Sequence, residues 1–245
     1  MAVQNSLQQK KATGGEFEYL ANGEKIKLSA GMVRKYLVSG DPNAVTDQEV
    51  MMFLTLCKYQ HLNPFLREAY LVKYGSSPAT IVTGKETFTK RASKNPNYKG
   101  MQAGVIVLKQ DGTIENREGT FTLPTEELVG GWARVFVEGK EPLFNSVSFN
   151  EYAGRKKDGS LNNQWATKPA TMIRKVALVQ TLRECFPEDF GGMYSPEEMS
   201  NANADIDVNE IISEDDKPIV PEELKAEATA TAPAENTDAA AALFG

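Results

Sequence analysis

Trp165–Tyr194 reads WATKPATMIRKVALVQTLRECFPEDFGGMY, and its spacing predicts one long helix. Thr167 or Lys168 can serve as N-cap, and Pro169 suits the first turn, where its missing N–H costs nothing. No Gly or Pro interrupts residues 170–186, and Pro187 stops the run. At about 100° per residue, one arc gathers Met172, Ile173, Val176, Ala177 and Val179. The other gathers Lys168, Thr171, Arg174, Lys175 and Leu178. An apolar side with a cationic side near the helix start suits a polyanion, because free N–H groups, helix dipole and side-chain charge all favour phosphate there. The same pattern fits a core helix with a solvated basic face.

Before this helix the residues predict an α+β order. Residues 1–24 read as a flexible polar arm. Ser29 can cap a short helix through Leu37, and Thr46-Asp47-Gln48-Glu49 is a capping box for a helix with Val50, Phe53, Leu54 and Cys57 at core spacing. That helix ends before Asn63-Pro64. Residues 67–74 alternate like a strand and can pair with 79–83 as a hairpin. Gly84 then precedes the short basic helix KETFTKRASKN. Strands follow at 101–109, 113–123 (through the Asp111-Gly112 turn), 132–138 and 143–149, with a turn at Gly139. A Gly-containing loop at 153–164 leads into the long helix. The expected fold is an antiparallel sheet packed with helices, closed by a long C-terminal helix and followed by a disordered acidic tail.

The charge is divided unevenly. Residues 199–245 hold 11 Asp/Glu and 2 Lys, a net of 2 − 11 = −9, whereas residues 1–198 hold 25 Lys/Arg and 22 Asp/Glu, a net of 25 − 22 = +3. The whole-chain net of −6 therefore does not exclude a nucleic-acid partner. Residues 25–198 are the expected working domain, and 199–245 the tail, which is too polar to offset its ordering entropy. Ile211-Ile212 and Leu243-Phe244 are its candidate partner-docking anchors. No apolar stretch reaches the ~20 residues of a membrane span, and the first residues lack a secretory apolar core. Cys57 and Cys185 have neither metal nor redox spacing and read as buried thiols, so the expected setting is the cytoplasm.

Three basic clusters are candidates for DNA contact. The first is Lys85, Thr87, Lys90, Arg91, Lys94 and Lys99, where Gly84 would let a phosphate approach the backbone. The second is Arg155-Lys156-Lys157 in the loop, with Tyr152 and Trp165 on either side. Trp165 fits either a base-stacking role or, better, a core anchor. The third is Lys168, Thr171, Arg174 and Lys175. Each cluster also fits a solvated basic surface.

Other chemistries lack residues. Gly84-Lys85-x-Thr87 is not a P-loop, because Ala79 stands where the first Gly belongs and Glu86 follows the Lys. His61, the only histidine, reads as structural. Val137-Glu138-Gly139-Lys140, with Glu68 and Asp111, only faintly suggests a nuclease, and hairpin turns explain these positions better. No catalytic residue, metal or cofactor is expected.

Trp165, Lys168-Pro169, Met172, Arg174-Lys175, Ala177, Arg183, Phe186-Pro187 and Gly191-Gly192-x-Tyr194, in this order, resemble the RecT/Redβ type of phage single-strand DNA annealing protein. The likeness extends upstream through Ser148-Phe149-x-Glu151-Tyr152, Gly84-Lys85 and Asn63-Pro64, about residues 25–198, and is nearest the prophage type of Gram-positive bacteria. The resemblance implies ATP-independent single-stranded DNA binding and annealing to a duplex in phage recombination. It also implies assembly into rings or helical filaments in the bacterial host cell, and work beside a phage 5′–3′ exonuclease. A host single-stranded DNA-binding protein is a further candidate partner for the C-terminal region. The alternative is a protein that coats single strands without annealing them.

Overall fold

Residues 16–73 and 75–199 are described by the computed structural model. The expected disordered tail, its docking anchors and most of the N-terminal arm lie outside the described residues.

The first element corrects the arm boundary. Asn22 and Gly23 both have positive φ, 53° and 87°, as a two-residue turn between right-twisted strands requires. They join β1 (Phe17–Ala21) to β2 (Glu24–Leu28) in an antiparallel hairpin. Tyr19, Ala21, Ile26 and Leu28 alternate inward and are buried, which ties the hairpin to the core. Ser29 caps α1 (Ala30–Met32) as predicted, accepting from the Met32 N–H at 3.2 Å. The helix then widens into a π-turn over Val33–Leu37.

β3 (Val38–Gly40) pairs in parallel with β4 (Ala69–Lys73), which pairs antiparallel with β5 (Thr80–Thr83). The parallel pair is a departure from the expected antiparallel pattern. It arises because α2 (Asp47–Tyr59) crosses over between the two strands. Both halves of its capping box form: Thr46 Oγ1 accepts from the Glu49 N–H at 3.2 Å, and Glu49 Oε2 accepts from the Thr46 N–H at 2.8 Å. Val50, Phe53, Leu54 and Cys57 are buried, as their spacing predicts. α3 (Lys85–Lys94) follows Gly84.

A four-stranded antiparallel sheet holds β6 (Tyr98–Leu108), β7 (Ile114–Glu118), β8 (Glu127–Val137) and β9 (Leu143–Ser148) in the order β7-β6-β8-β9. β7 is shorter than predicted. The chain turns off at Gly119 (φ 84°), and Glu126 is clamped by both Nη groups of Arg117 at 2.7 and 2.8 Å. At Gly104 a Cβ would strike the Arg117 carbonyl, so only glycine lets β7 fold so close there. α4 (Phe149–Tyr152) takes Phe149, the residue predicted to end the last strand, and α5 (Asn163–Thr167) is capped by Asn162.

α6 (Pro169–Cys185) is the predicted long helix. Gly131 on β8 lets it settle on the sheet, since a Cβ there would come within 2.6 Å of the Ile173 carbonyl. Leu178, read from the sequence as part of the cationic arc, is buried. Its side of α6 is covered by packing from α3, α7 (Pro187–Phe190) and α8 (Pro196–Met199), so the helix is enclosed on more than the sheet side. The result is an α+β fold: helices and mostly antiparallel sheets around one main core.

Candidate nucleic-acid interface

α3 presents its cations from a helix that is itself tied down. Phe88 and Ala92 are buried, and the Phe88 ring lies tilted against Phe190 at 5.4 Å. Thr87 is buried, with its hydroxyl 3.5 Å from the Glu68 carbonyl. Lys90 donates to Glu68 Oε1 at 2.8 Å, and Lys94 to Asn22 Oδ1 at 2.9 Å. Arg91 is turned inward. Its Nη1 donates to Gln60 Oε1 at 2.9 Å and to the Asp189 carbonyl at 2.8 Å, and burial lowers its pKa. Arg91 therefore joins the end of α2 to α7, which is a bracing position. Lys99 sits outside, in an exposed ion pair with Glu138 at 2.8 Å.

The loop cluster is a tight turn. An isolated bridge pairs Arg155 with Leu161, and Gly159 (φ 83°) supplies the left-handed position. Arg155 spends its guanidinium locally, donating to the Gly159 carbonyl at 3.1 Å and to Asn150 Oδ1 at 3.2 Å. Lys156 and Lys157 are exposed on this turn. Trp165 is fully buried, with its ring edge-on to Phe149 at 5.6 Å, so it anchors the core and does not offer a stacking face. The turn leads through α5 into Lys168, which is exposed at the start of α6.

Along α6 the remaining candidates point to different surroundings. Thr171 is half-buried. Arg174 Nε donates to the Ala103 carbonyl of β6 at 3.1 Å. Lys175 faces α8, with Nζ 3.5 Å from Glu197 Oε1, and both side chains are largely covered. Seventeen residues make α6 ~25 Å long. The loop and Lys168 stand at its start, while α3 is fastened to its far end through Phe190 and Asp189.

α3, α4, α6 and α7 begin without a side-chain cap bond, and a lysine at the start sets α3 and α6 apart from the other two. α1, α2 and α5 each begin with a side-chain cap, from Ser29, Thr46 and Asn162. α3 begins at Gly84 and α6 at Lys168, both without a side-chain cap bond. Each of these two starts carries a lysine, Lys85 or Lys168, next to the positive end of the helix dipole. At Lys85 a cation is unfavourable, and a bound anion reverses that sign; Lys168 also ends α5, whose negative dipole end offsets part of that cost.

Sequence reading missed several structural carboxylates. Glu68, buried, accepts from Asn22 Nδ2, Lys90 Nζ and the Asn63 N–H at 3.0, 2.8 and 2.8 Å. Glu198 holds both Nη groups of Arg183 at 3.1 and 2.6 Å and fixes α8 against α6. Asp111 caps its own hairpin turn through Thr113. Glu68, Asp111 and Glu138 thus serve separate places, and among the described residues no three His, Cys, Asp or Glu are grouped to hold a metal. His61 is exposed in a left-handed conformation, with Nδ1 2.8 Å from the Leu20 carbonyl. No described helix is long and apolar enough to cross a membrane.

The sequence profile of the RecT family matches residues 24–214, well over half of the chain. The chain belongs to the RecT family. The match runs past the described residues into the start of the acidic segment. An uncharacterized protein of Ureaplasma parvum serovar 3 is similar, at 28% identity over 143 residues, 58% of this chain and 56% of that protein. The chain thus spans little more than half the length of this curated relative.

Proposed function

We propose that this RecT-family chain binds single-stranded DNA and anneals it to a complementary strand without ATP. The observation that carries the reading is the pair of helix starts without side-chain caps, each with a lysine beside it, at α3 and α6. Phosphates at these starts would gain N–H donors, dipole and charge together. Lys85, Lys90, Lys94 and Lys99 would serve one end of the strand's path, with Thr87 buried beneath them. Arg155, Lys156, Lys157, Lys168 and Thr171 would serve the other, with Arg174 and Lys175 between them. Arg91 would act by bracing α3. Two complementary strands repel as polyanions; a basic path releases counterions from one of them and holds it extended. Pairing with the second strand then supplies the free energy, at roughly 1.4 kcal/mol per base-pair step from stacking. Sequence selectivity comes from pairing, so the path needs no base-reading residues.

Within this reading the subunits assemble in series, which lets a body of net +3 cover a long strand. A 5′–3′ exonuclease would work beside it in phage recombination, with the acidic C-terminal region as the docking segment. The test mixes the protein with two complementary oligonucleotides in ATP-free buffer. Duplex should form faster than the spontaneous rate, and a joint substitution Lys85→Ala and Lys168→Ala should remove the gain. A protein that coats the strands while leaving the rate unchanged or lower is a plain single-strand binder instead.

A further inference from the structure

Among the described residues, the four-stranded sheet is covered on one face by α6 and has no second layer of helices on the other. Ala103, Val105, Val107, Ala133, Val135 and Val147 face α6 and join the core. Their alternates Ile114, Ile106, Trp132, Phe136 and Phe144 stand on the opposite face, and none belongs to the main core cluster. They form a strip across all four strands, from Ile114 (69% exposed) on β7 to Phe144 (42% exposed) on β9, with Trp132 nearly buried between them at 7% and Ile106 and Phe136 half-buried. Phe144 stacks on Trp132 at 6.0 Å, and Arg134 lies over it at 5.4 Å. A sheet face this apolar normally lies under a second layer.

The same chain carries a helix with an apolar stripe to spare. α2 buries Val50, Phe53, Leu54 and Cys57 inward, yet Met51, Met52 and Tyr59 point outward at 50, 59 and 76% exposure. Met52 and Tyr59 are two turns apart on one side, with Thr55 between them. A helix apolar on both sides is ordinarily enclosed on both. α2 packs on the hairpin of β1 and β2 and on α1, so its outer stripe belongs to another part of the fold than the sheet face away from α6.

We propose that the outer stripe of α2 in one copy seats on this sheet face of the next, joining subunits head to tail. This rests on the reading that the chain works as an assembly. The dimensions agree: four strands span ~15 Å, and the 13 residues of α2 are ~20 Å long. Methionine and aromatic side chains with an arginine are the residues enriched at interface centres, and flexible methionines adapt to an uneven sheet surface. DNA is the poorer occupant. The face away from α6 offers Arg134, already stacked on Phe144, against Glu118 and Glu127 on the same face, so phosphate meets no net attraction. Two different patches that complement each other make a heterologous contact, which propagates as an open chain unless the rotation closes it into a ring.

The test uses the full chain in two forms, Met52→Glu with Tyr59→Glu, and Ile114→Glu with Phe144→Glu. Mass is read by sedimentation and light scattering, alone and with oligothymidine. Wild type should form large assemblies, while each variant should fall to monomer mass with an unchanged circular-dichroism spectrum. An equimolar mixture of the variants should return a 1:1 complex of twice the monomer mass, because it holds one intact α2 stripe and one intact sheet face. If a double variant unfolds, Tyr59→Glu or Ile114→Glu alone serves, since both side chains are mostly in solvent. Variants that still assemble overturn the pairing and leave the assembly reading intact. Variants that assemble but lose DNA assign the faces to nucleic acid and also overturn it, as does a mixture that stays monomeric. A wild type that stays monomeric with and without DNA overturns the assembly reading and the pairing together.

Discussion

Glu49 accepts from three donors: Lys73 Nζ at 2.8 Å, the Ala79 N–H at 2.6 Å and the Thr46 N–H at 2.8 Å. Burial pushes its carboxyl upward, but the Lys73 ammonium and the two N–H groups outweigh that and hold it at about 2. The unfolded carboxyl titrates at ~4.3. The folded value is the lower one, so the stabilisation is complete above roughly pH 4.5 and drains away as pH falls toward 2. Glu49→Gln strands a Lys73 side chain that is only 6% exposed, and should cost about 3 kcal/mol at neutral pH. Denaturant titrations of both proteins should show that gap narrowing as the acid range is entered; a gap constant to pH 2 would contradict the assignment. Arg91 and Lys168 make a second contrast. Arg91→Ala should lower the melting temperature, because it removes bonds to Gln60 and Asp189 from a half-buried brace, at a cost of about 2–3 kcal/mol. Lys168→Ala should leave the melting temperature within experimental error and weaken DNA binding. Equal melting losses in the two variants would remove the distinction between brace and contact.

Among the elements, α6 separates what pattern reveals from what packing decides. Its length, start and stop are legible from Pro169, the unbroken run and Pro187. The inward turn of Leu178 is not, because helical periodicity describes one buried face and α6 is covered on several. The capping box at Thr46 and the core of α2 are likewise local and readable. The hairpin of β1 and β2 carried a readable signal as well, Asn22-Gly23 between alternating segments, which overall polarity of the first residues obscured. The parallel pairing of β3 with β4 had none, since three residues give no period. For the candidate site, the positions of the cations were legible but their partners were not: nothing local announces that Lys90 meets Glu68 or that Lys175 meets Glu197. At this scale the prediction is electrostatic. Single alanines at Lys85, Lys156 and Lys168 should weaken binding regardless of sequence, each flattening the plot of log affinity against log salt by about one unit or less. An unchanged slope in the triple variant, with the fold intact, would move the DNA elsewhere.

For the whole molecule, the distribution of charge outweighs its sum. Residues 215–245, beyond the family match, hold 7 Asp/Glu and 2 Lys, a net of 2 − 7 = −5. Truncation after residue 214 should leave purified annealing intact while recombination with the proposed exonuclease partner drops in cells; tighter DNA binding by the truncated protein at low salt would instead mark the segment as a competitor for the basic path. Loss of annealing itself would mean that the segment belongs to the annealing machinery. The crossover sheet has a consequence of another kind. β4 is buried along its whole length and lies between β3, which precedes α2, and β5, which follows β4 directly. The β4–β5 hairpin can close early, but the β3 side must wait until the ends of a segment of more than thirty residues meet, a loop closure that is slow and entropically costly. Amide protons on the β3 side of β4 should therefore gain protection from deuterium later in refolding than those facing β5, so one strand would record two separate moments of the folding reaction along its two edges.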